Sequence, residues 1–210
     1  MIIAVDGESA SGKGTVSKLL AKKLDFAYLD TGLLYRAVAY LAKQKNALEN
    51  EEAVINIAKN ITAADLEING LRREDIGAAA SIVAKIPEVR QALLQFQVDF
   101  ANYPPKHKKG AVLDGRDIGS VVCPQADIKF YVCASLQVRA ERRHKDLPDA
   151  KFEDIYNSLQ ARDESDKNRA VGALKKLDDA IEIDNTHLSI EETFNKMYKY
   201  IEKKLPSYRA

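Results

Sequence analysis

The stretch VDGESASGKGTVSK, residues 5–18, sets Gly7, Gly12 and Gly14 around Lys13, with the hydroxyl of Thr15 two positions after the lysine. Glycine loses more conformational freedom on ordering than any other residue, so bare backbone here needs a reason. The pattern GxxxxGK between a strand and a helix lets several backbone N–H groups converge on one anion, and the amino end of the helix adds its partial positive charge. Lys13 supplies a full charge to the β- and γ-phosphates of a bound triphosphate. Glu8, Ser9, Ala10 and Ser11 complete the run, so residues 7–15 are read as a nucleotide triphosphate cradle. The competing reading is a merely flexible turn. Because Gly14 displaces the hydroxyl to Thr15, a Mg²⁺ ion is expected to be held largely by phosphates and water, with Thr15 as the protein ligand and Asp114 helping.

Three further groups carry charge suited to a second anionic substrate. LDTGLLYR offers Asp30, Thr31 and Gly32 before Tyr35 and Arg36, an arginine beside a helix start. LDGRDIG offers Asp114, Gly115, Arg116 and Asp117. VRAERR and ARDESDKNR place Arg139, Arg142 and Arg143, then Arg162, Asp166 and Arg169, at helical spacing on single faces. Each alone has a bland reading, a capped loop or a solvated face. Together they suit phosphoryl transfer, in which a triphosphate facing a second phosphate ester presents roughly four excess negative charges to be neutralised and aligned. Mobile arginines suit a lid whose closure excludes water. An alcohol acceptor needs a carboxylate to take its proton, whereas a phosphate acceptor, with its second pKa of about 6, is already ionised. The scarcity of spare acids favours a phosphorylated acceptor; Asp30 and Asp117 keep the alcohol open.

These groups must be held by strands and helices. IIAVD (2–6), FAYLD (26–30), GAVLD (110–114), IKFYVCAS (128–135) and AIEID (180–184) read as strands. Helices alternate with them: one carries Val16, Leu19, Leu20 and Leu24 on a face, and the last carries Ile190, Phe194, Met197 and Ile201 behind the capping box Ser189–Glu192. The alternation predicts an α/β fold, a three-layer α/β/α sandwich around a parallel sheet. Residues 47–103 interrupt it as a largely helical insertion, with a helix started by Pro87 and room for one hairpin at most in TAADLEINGLRREDIG. Residues 139–169 interrupt it as a charged segment. The expected division is a core of 1–46, 104–138 and 170–210, an acceptor-binding lobe at 47–103 and a lid at 139–169.

With 210 residues, one main domain is expected. A net charge of +1 gives no overall field toward nucleic acid or an anionic membrane, so neither is expected as a partner. MIIAVDG lacks the basic and apolar regions of a signal peptide, and no apolar run is long enough to span a bilayer. Cys123 and Cys133 lack metal-ligand spacing and read as buried small hydrophobes. A cytoplasmic monomer is expected.

DGESASGKGT, LDTGLLYRA, AAASIVAKIPEVRQALLQFQ, DGRDIGSVV, ARDESDKNRAV and IDNTHLSIEE together resemble bacterial cytidylate kinase along nearly the whole chain, and GKGT is familiar from the nucleoside monophosphate kinases. The resemblance implies a P-loop NTPase-like core, an acceptor lobe and a helical lid, with transfer of the ATP γ-phosphate to CMP or dCMP. Carried over by motif, Thr31, Arg36 and Arg116 look like contacts to the acceptor phosphate and sugar, and Ser81, Arg90 and Asp117 like the cytosine readers. Arg162, Asp166 and Arg169 resemble the lid-side set, and Arg139 and Arg143 are assigned to the triphosphate. Lys13, Arg116, Arg162 and Arg169 are the expected catalytic cations. Cytosine offers an amino donor to Asp117 and acceptors to Arg90, where uracil would present a carbonyl to Asp117. Two other classes remain open: a different P-loop small-molecule kinase, and a non-enzymatic nucleotide-binding regulator.

Overall fold

The computed structural model describes residues 1–204. Five strands form its sheet: β1 (Ile2–Gly7), β2 (Ala27–Asp30), β3 (Ala111–Gly115), β4 (Ile128–Cys133) and β5 (Ile181–Asp184), in the order β2-β3-β1-β4-β5. β1 runs parallel to both β3 and β4, and β4 parallel to β5. All of β1 is buried, as its uninterrupted apolar run requires of a strand covered on both faces. Register pairs Asp6 with Gly115 and Gly7 with Val132, so the ends of three strands meet where the chain leaves β1. The connection leaving β1 runs to one side, toward β2, and the one leaving the adjacent β4 to the other, toward β5, which makes that end the topological switch point where open α/β sheets bind ligands.

One compact unit comprises Met1–Leu29 with the described residues from Ala101 onward. Its core joins Ile3, Val5, Val112, Phe130 and Ile183 of the sheet to helices α1 (Lys13–Leu24) and α8 (Ile190–Lys204). Val16, Leu20 and Leu24 of α1 are buried, while Leu19 is 39% exposed and belongs to the rim of the predicted face. In α8 Met197 and Ile201 are fully buried, but Ile190, at the first helical position, is 54% exposed. The capping box forms: Ser189 N–H donates to Glu192 Oε2 (2.8 Å) and Glu192 N–H to Ser189 Oγ (3.1 Å). Helices α6 (Leu136–Asp146) and α7 (Phe152–Asn168) belong to this unit and share a small cluster of Ala140, Ile155 and Leu159.

Asp30–Phe100 forms the second unit. It holds α2 (Thr31–Gln44), α3 (Glu51–Lys59), α4 (Glu74–Val83) and most of α5 (Pro87–Asn102). TAADLEINGLRREDIG contains no hairpin: Ala63–Glu67 is a 3₁₀ turn capped by Thr62 and Asp65, and a loop through Gly70 (φ +94°) leads into α4.

Candidate active site

The loop 8–12 leaves β1 and enters α1 with two left-handed residues, Ala10 (φ +58°) and Gly12 (φ +82°), the second capping the helix. Such alternation gathers successive N–H groups into a concave anion nest. Lys13 is buried and its Nζ donates back to the Glu8 carbonyl at 3.4 Å, curling across the loop. The glycines have different reasons to be bare. A Cβ at Gly7 lies 2.0 Å from the Val132 carbonyl oxygen, so the neighbouring strand keeps that position bare whatever binds in the loop. Gly12 needs its positive φ. At Gly14 a Cβ makes only ordinary contacts with Tyr28 and Asp114. Asp114 is buried and accepts from the Tyr28 hydroxyl, and Thr15 is exposed at the start of α1.

Beside the cradle, Arg116 is held on three sides. Its Nε donates to Asp166 Oδ2 (2.5 Å), one terminal nitrogen to Ser9 Oγ (2.8 Å) and the other to the Gly115 carbonyl (3.2 Å). Burial alone would raise the Asp166 carboxyl, but the charges of Arg116 and Arg169 outweigh it and hold it below the usual range. Arg169 does not extend α7. It caps the helix in an extended conformation, with Nε donating to Gly172 O (2.7 Å) and a guanidinium nitrogen 3.6 Å from Asp166. Arg162 is half-buried on α7, one helical turn before Asp166.

Asp117 is buried and opens a single π-turn, Ile118–Val122, its carbonyl accepting from Val121 N–H at 2.8 Å. That turn is anchored by a residue the motif reading passed over. Asp6, the last residue before Gly7, accepts from the Ile118 and Gly119 N–H groups, each at 2.8 Å. Burial pushes its carboxyl up to about 6 against the pull of those two bonds.

The arginines of α6 correct an expectation. Arg139 is 3% exposed, not a mobile lid cation: it donates to Ala134 O (2.9 Å) and Ser9 O (3.0 Å) and pairs with Asp163 (2.6 Å) and Glu8 (3.4 Å). Asp163 in turn accepts from Ser9 N–H at 3.3 Å. Arg142 donates to the side-chain and main-chain oxygens of Asn185, at 3.0 and 2.8 Å. Arg143 is half-buried, with Asp146 at 4.0 Å. Glu8, counted among the cradle residues, also pairs with Lys167 at 3.0 Å. Spacing put the three arginines on one helical face but could not say that the face turns inward. Cys123 is buried as expected, whereas Cys133 is only partly so, its thiol 3.7 Å from Glu182; both thiols are free and pushed up to about 11, chiefly by burial.

In the second unit, Thr31 is buried at the first turn of α2. Arg36 donates to the Leu71 and Arg73 carbonyls at 2.8 and 3.1 Å, which ties the loop before α4 to α2. Arg72, from that loop, meets Asp30 at 2.7 Å; it escaped the motif reading because nothing in its spacing linked it to LDTG. Arg90 is 7% exposed, its guanidinium 5.3 Å from the Tyr35 ring centre, so it is an enclosed cation rather than a solvated helix residue. Ser81 is half-buried and its hydroxyl donates to Gly77 O at 3.2 Å.

A parallel sheet whose central strand runs into a glycine-and-lysine anion cradle is the architecture of the P-loop nucleotide-binding proteins, and this chain has it. The chain belongs to the cytidylate kinase family, whose sequence profile matches residues 3–203. It is 47% identical over 207 residues to a cytidylate kinase of Azorhizobium caulinodans, covering 97% of this chain and 98% of that one. It is 44% identical to a cytidylate kinase of Neisseria meningitidis serogroup A, covering 96% and 97%. Among solved structures, an uncharacterized protein from Eubacterium ventriosum superposes with a TM-score of 0.58 at 16% identity, covering 96% of this chain and 98% of that one, a likeness of fold alone.

Proposed function

We propose that the chain transfers the γ-phosphate of ATP to CMP or dCMP, giving CDP or dCDP. The observation that carries this reading is the membership of the whole chain in the cytidylate kinase family, joined to a P-loop cradle with Lys13 curled over it. Residues 7–15 receive the triphosphate, with Arg143 adding charge from α6. Thr31, Arg36 and Arg116 receive the acceptor phosphate, and Arg162, Asp166 and Arg169 close on the sugar and the transferring group. Ser81, Arg90 and Asp117 read cytosine. Burial of Arg90 and Asp117 supports that assignment, since a polar group without water discriminates strongly between a matching and a mismatched base edge.

The chemistry asked of these residues is alignment and charge neutralisation. The acceptor oxygen of a nucleoside monophosphate is ionised at neutral pH, so no side chain has to remove a proton. Lys13 and the arginines compensate charge spread over the equatorial oxygens. Among the described residues no group of three or more His, Cys, Asp or Glu is arranged to hold a metal. Thr15 and Asp114, close to the start of α1, are the protein groups that would hold Mg²⁺, with phosphates and water completing its shell. Bound there, the ion supplies further neutralisation of the phosphates.

Release of ADP measured in a coupled assay, with CMP, dCMP, UMP and AMP offered in turn, tests the reading. It requires CMP and dCMP to stimulate release well above UMP and AMP. Equal rates with all four, or the best rate with an unphosphorylated alcohol, would replace it with another P-loop kinase.

A further inference from the structure

We infer that Asn185 and Arg139 are positioning residues that aim the phosphate-binding N–H groups of the cradle by gripping its carbonyls from outside. The inference rests on the reading of residues 7–15 as a triphosphate site. A trans peptide is planar, with its C=O and N–H pointing in opposite directions. Whatever fixes one carbonyl therefore fixes the N–H of the following residue. The Ser11 carbonyl accepts from Asn185 Nδ2 at 2.8 Å, which turns the Gly12 N–H to the other side of the loop. The Ser9 carbonyl accepts from Arg139 at 3.0 Å, which does the same for Ala10 N–H. The peptide that precedes these two points the other way: the Glu8 carbonyl faces Lys13 Nζ, and the Ser9 N–H leaves outward to Asp163. Ala10 and Gly12 are the two left-handed residues of the loop, the conformation most in need of an external hold.

Asn185 is built for this task. It follows β5, is buried, and is anchored through its own N–H to the Cys133 carbonyl at 2.9 Å. An asparagine amide can flip, and only one orientation presents Nδ2 to Ser11. Arg142 selects that orientation by donating to Asn185 Oδ1 at 3.0 Å. Arg139 and Arg142 thus stand three residues apart on α6 and stabilise the cradle from behind through its backbone. No direct contact to phosphate is required of either.

Two variants test this, read by steady-state kinetics and by binding of inorganic tripolyphosphate, which needs no acceptor. Asn185→Ala is expected to raise the KM for ATP and the Kd for tripolyphosphate about tenfold, the size of one hydrogen bond to a binding loop, while the KM for CMP stays within about twofold. Arg142→Gln leaves Asn185 in place but frees its amide, so it moves the same two quantities by a smaller factor. Combined with Asn185→Ala it adds less than it does alone, as expected of residues that act largely through one bond, since Arg142 still reaches the Asn185 main-chain oxygen. If Asn185→Ala does not fold, Arg142→Gln carries the test. Unchanged tripolyphosphate binding in the folded variants, or parallel rises in the KM for ATP and for CMP, would overturn the inference. A wild-type enzyme that binds tripolyphosphate yet ignores CMP would instead fault the proposed acceptor and leave the positioning role standing.

Discussion

Lys13 combines a full charge with burial and a short tether to its own loop, so its loss removes charge compensation that water cannot replace. Lys13→Ala should lower kcat by about 10²–10³-fold, the range seen when one preorganised donor to a transition state is deleted; turnover near that of the wild type would separate the lysine from catalysis. Asp117→Ala should raise the KM for CMP more than the KM for UMP, because only cytosine offers the amino donor the carboxylate accepts. Equal losses would remove it as a base reader. Asp6 gives a pH signature. Its carboxyl ionises near pH 6 in the folded chain against 3.8 when exposed. A raised folded-state value means its contribution to stability is complete below about pH 4 and is lost as the pH rises through 6. Asp6→Asn abolishes that titration, so urea unfolding should show the stability advantage of the wild type shrinking by about 2 kcal/mol between pH 4.5 and 7.5. A constant advantage would mean that the carboxyl ionises as an exposed one does.

At the scale of the element, two glycines of one motif are kept for different reasons, and substitution separates them. Gly7→Ala drives a methyl into the backbone of β4 and should cost about 3 kcal/mol in chemical unfolding. Gly12→Ala meets no backbone but must hold φ +82°, so it should cost about 1 kcal/mol while the affinity for ATP falls much further. The reverse ranking in stability would contradict the geometry. β1, β2 and β3 were legible as short, largely apolar runs ended by a glycine or an acidic residue, and β1 and β3 are buried throughout; β4 was legible from its apolar run alone, being followed by Ala134 and Ser135. The capping box of α8 was legible because its two side chains bond locally. Burial at the ends and edges of helices was not: Leu19 and Ile190 obey the period yet lie at the rim or first position of their helices. The inward turn of Arg139 was equally hidden, since its partners Ser9 and Asp163 are remote in sequence and no spacing rule links them. Asn185 lies within IDNTHLSIEE, but nothing in that segment marks it out, because its task is to hold a backbone carbonyl 174 residues away.

Across the whole molecule, a net charge of +1 conceals local concentrations of opposite sign. Arg116, Arg139 and Arg169 are engaged with Asp163, Asp166 and Glu8, so the cations are held in place by carboxylates. The central claim is that these cations serve transfer between two phosphates, with the receiving oxygen already ionised. Following the label from ATP carrying ³²P at the γ-position, with Mg²⁺ and either CMP or cytidine, tests it most directly. The account predicts label in the β-phosphate of CDP and none on cytidine. Label on the cytidine hydroxyl, or release as inorganic phosphate at a rate indifferent to CMP, would contradict it.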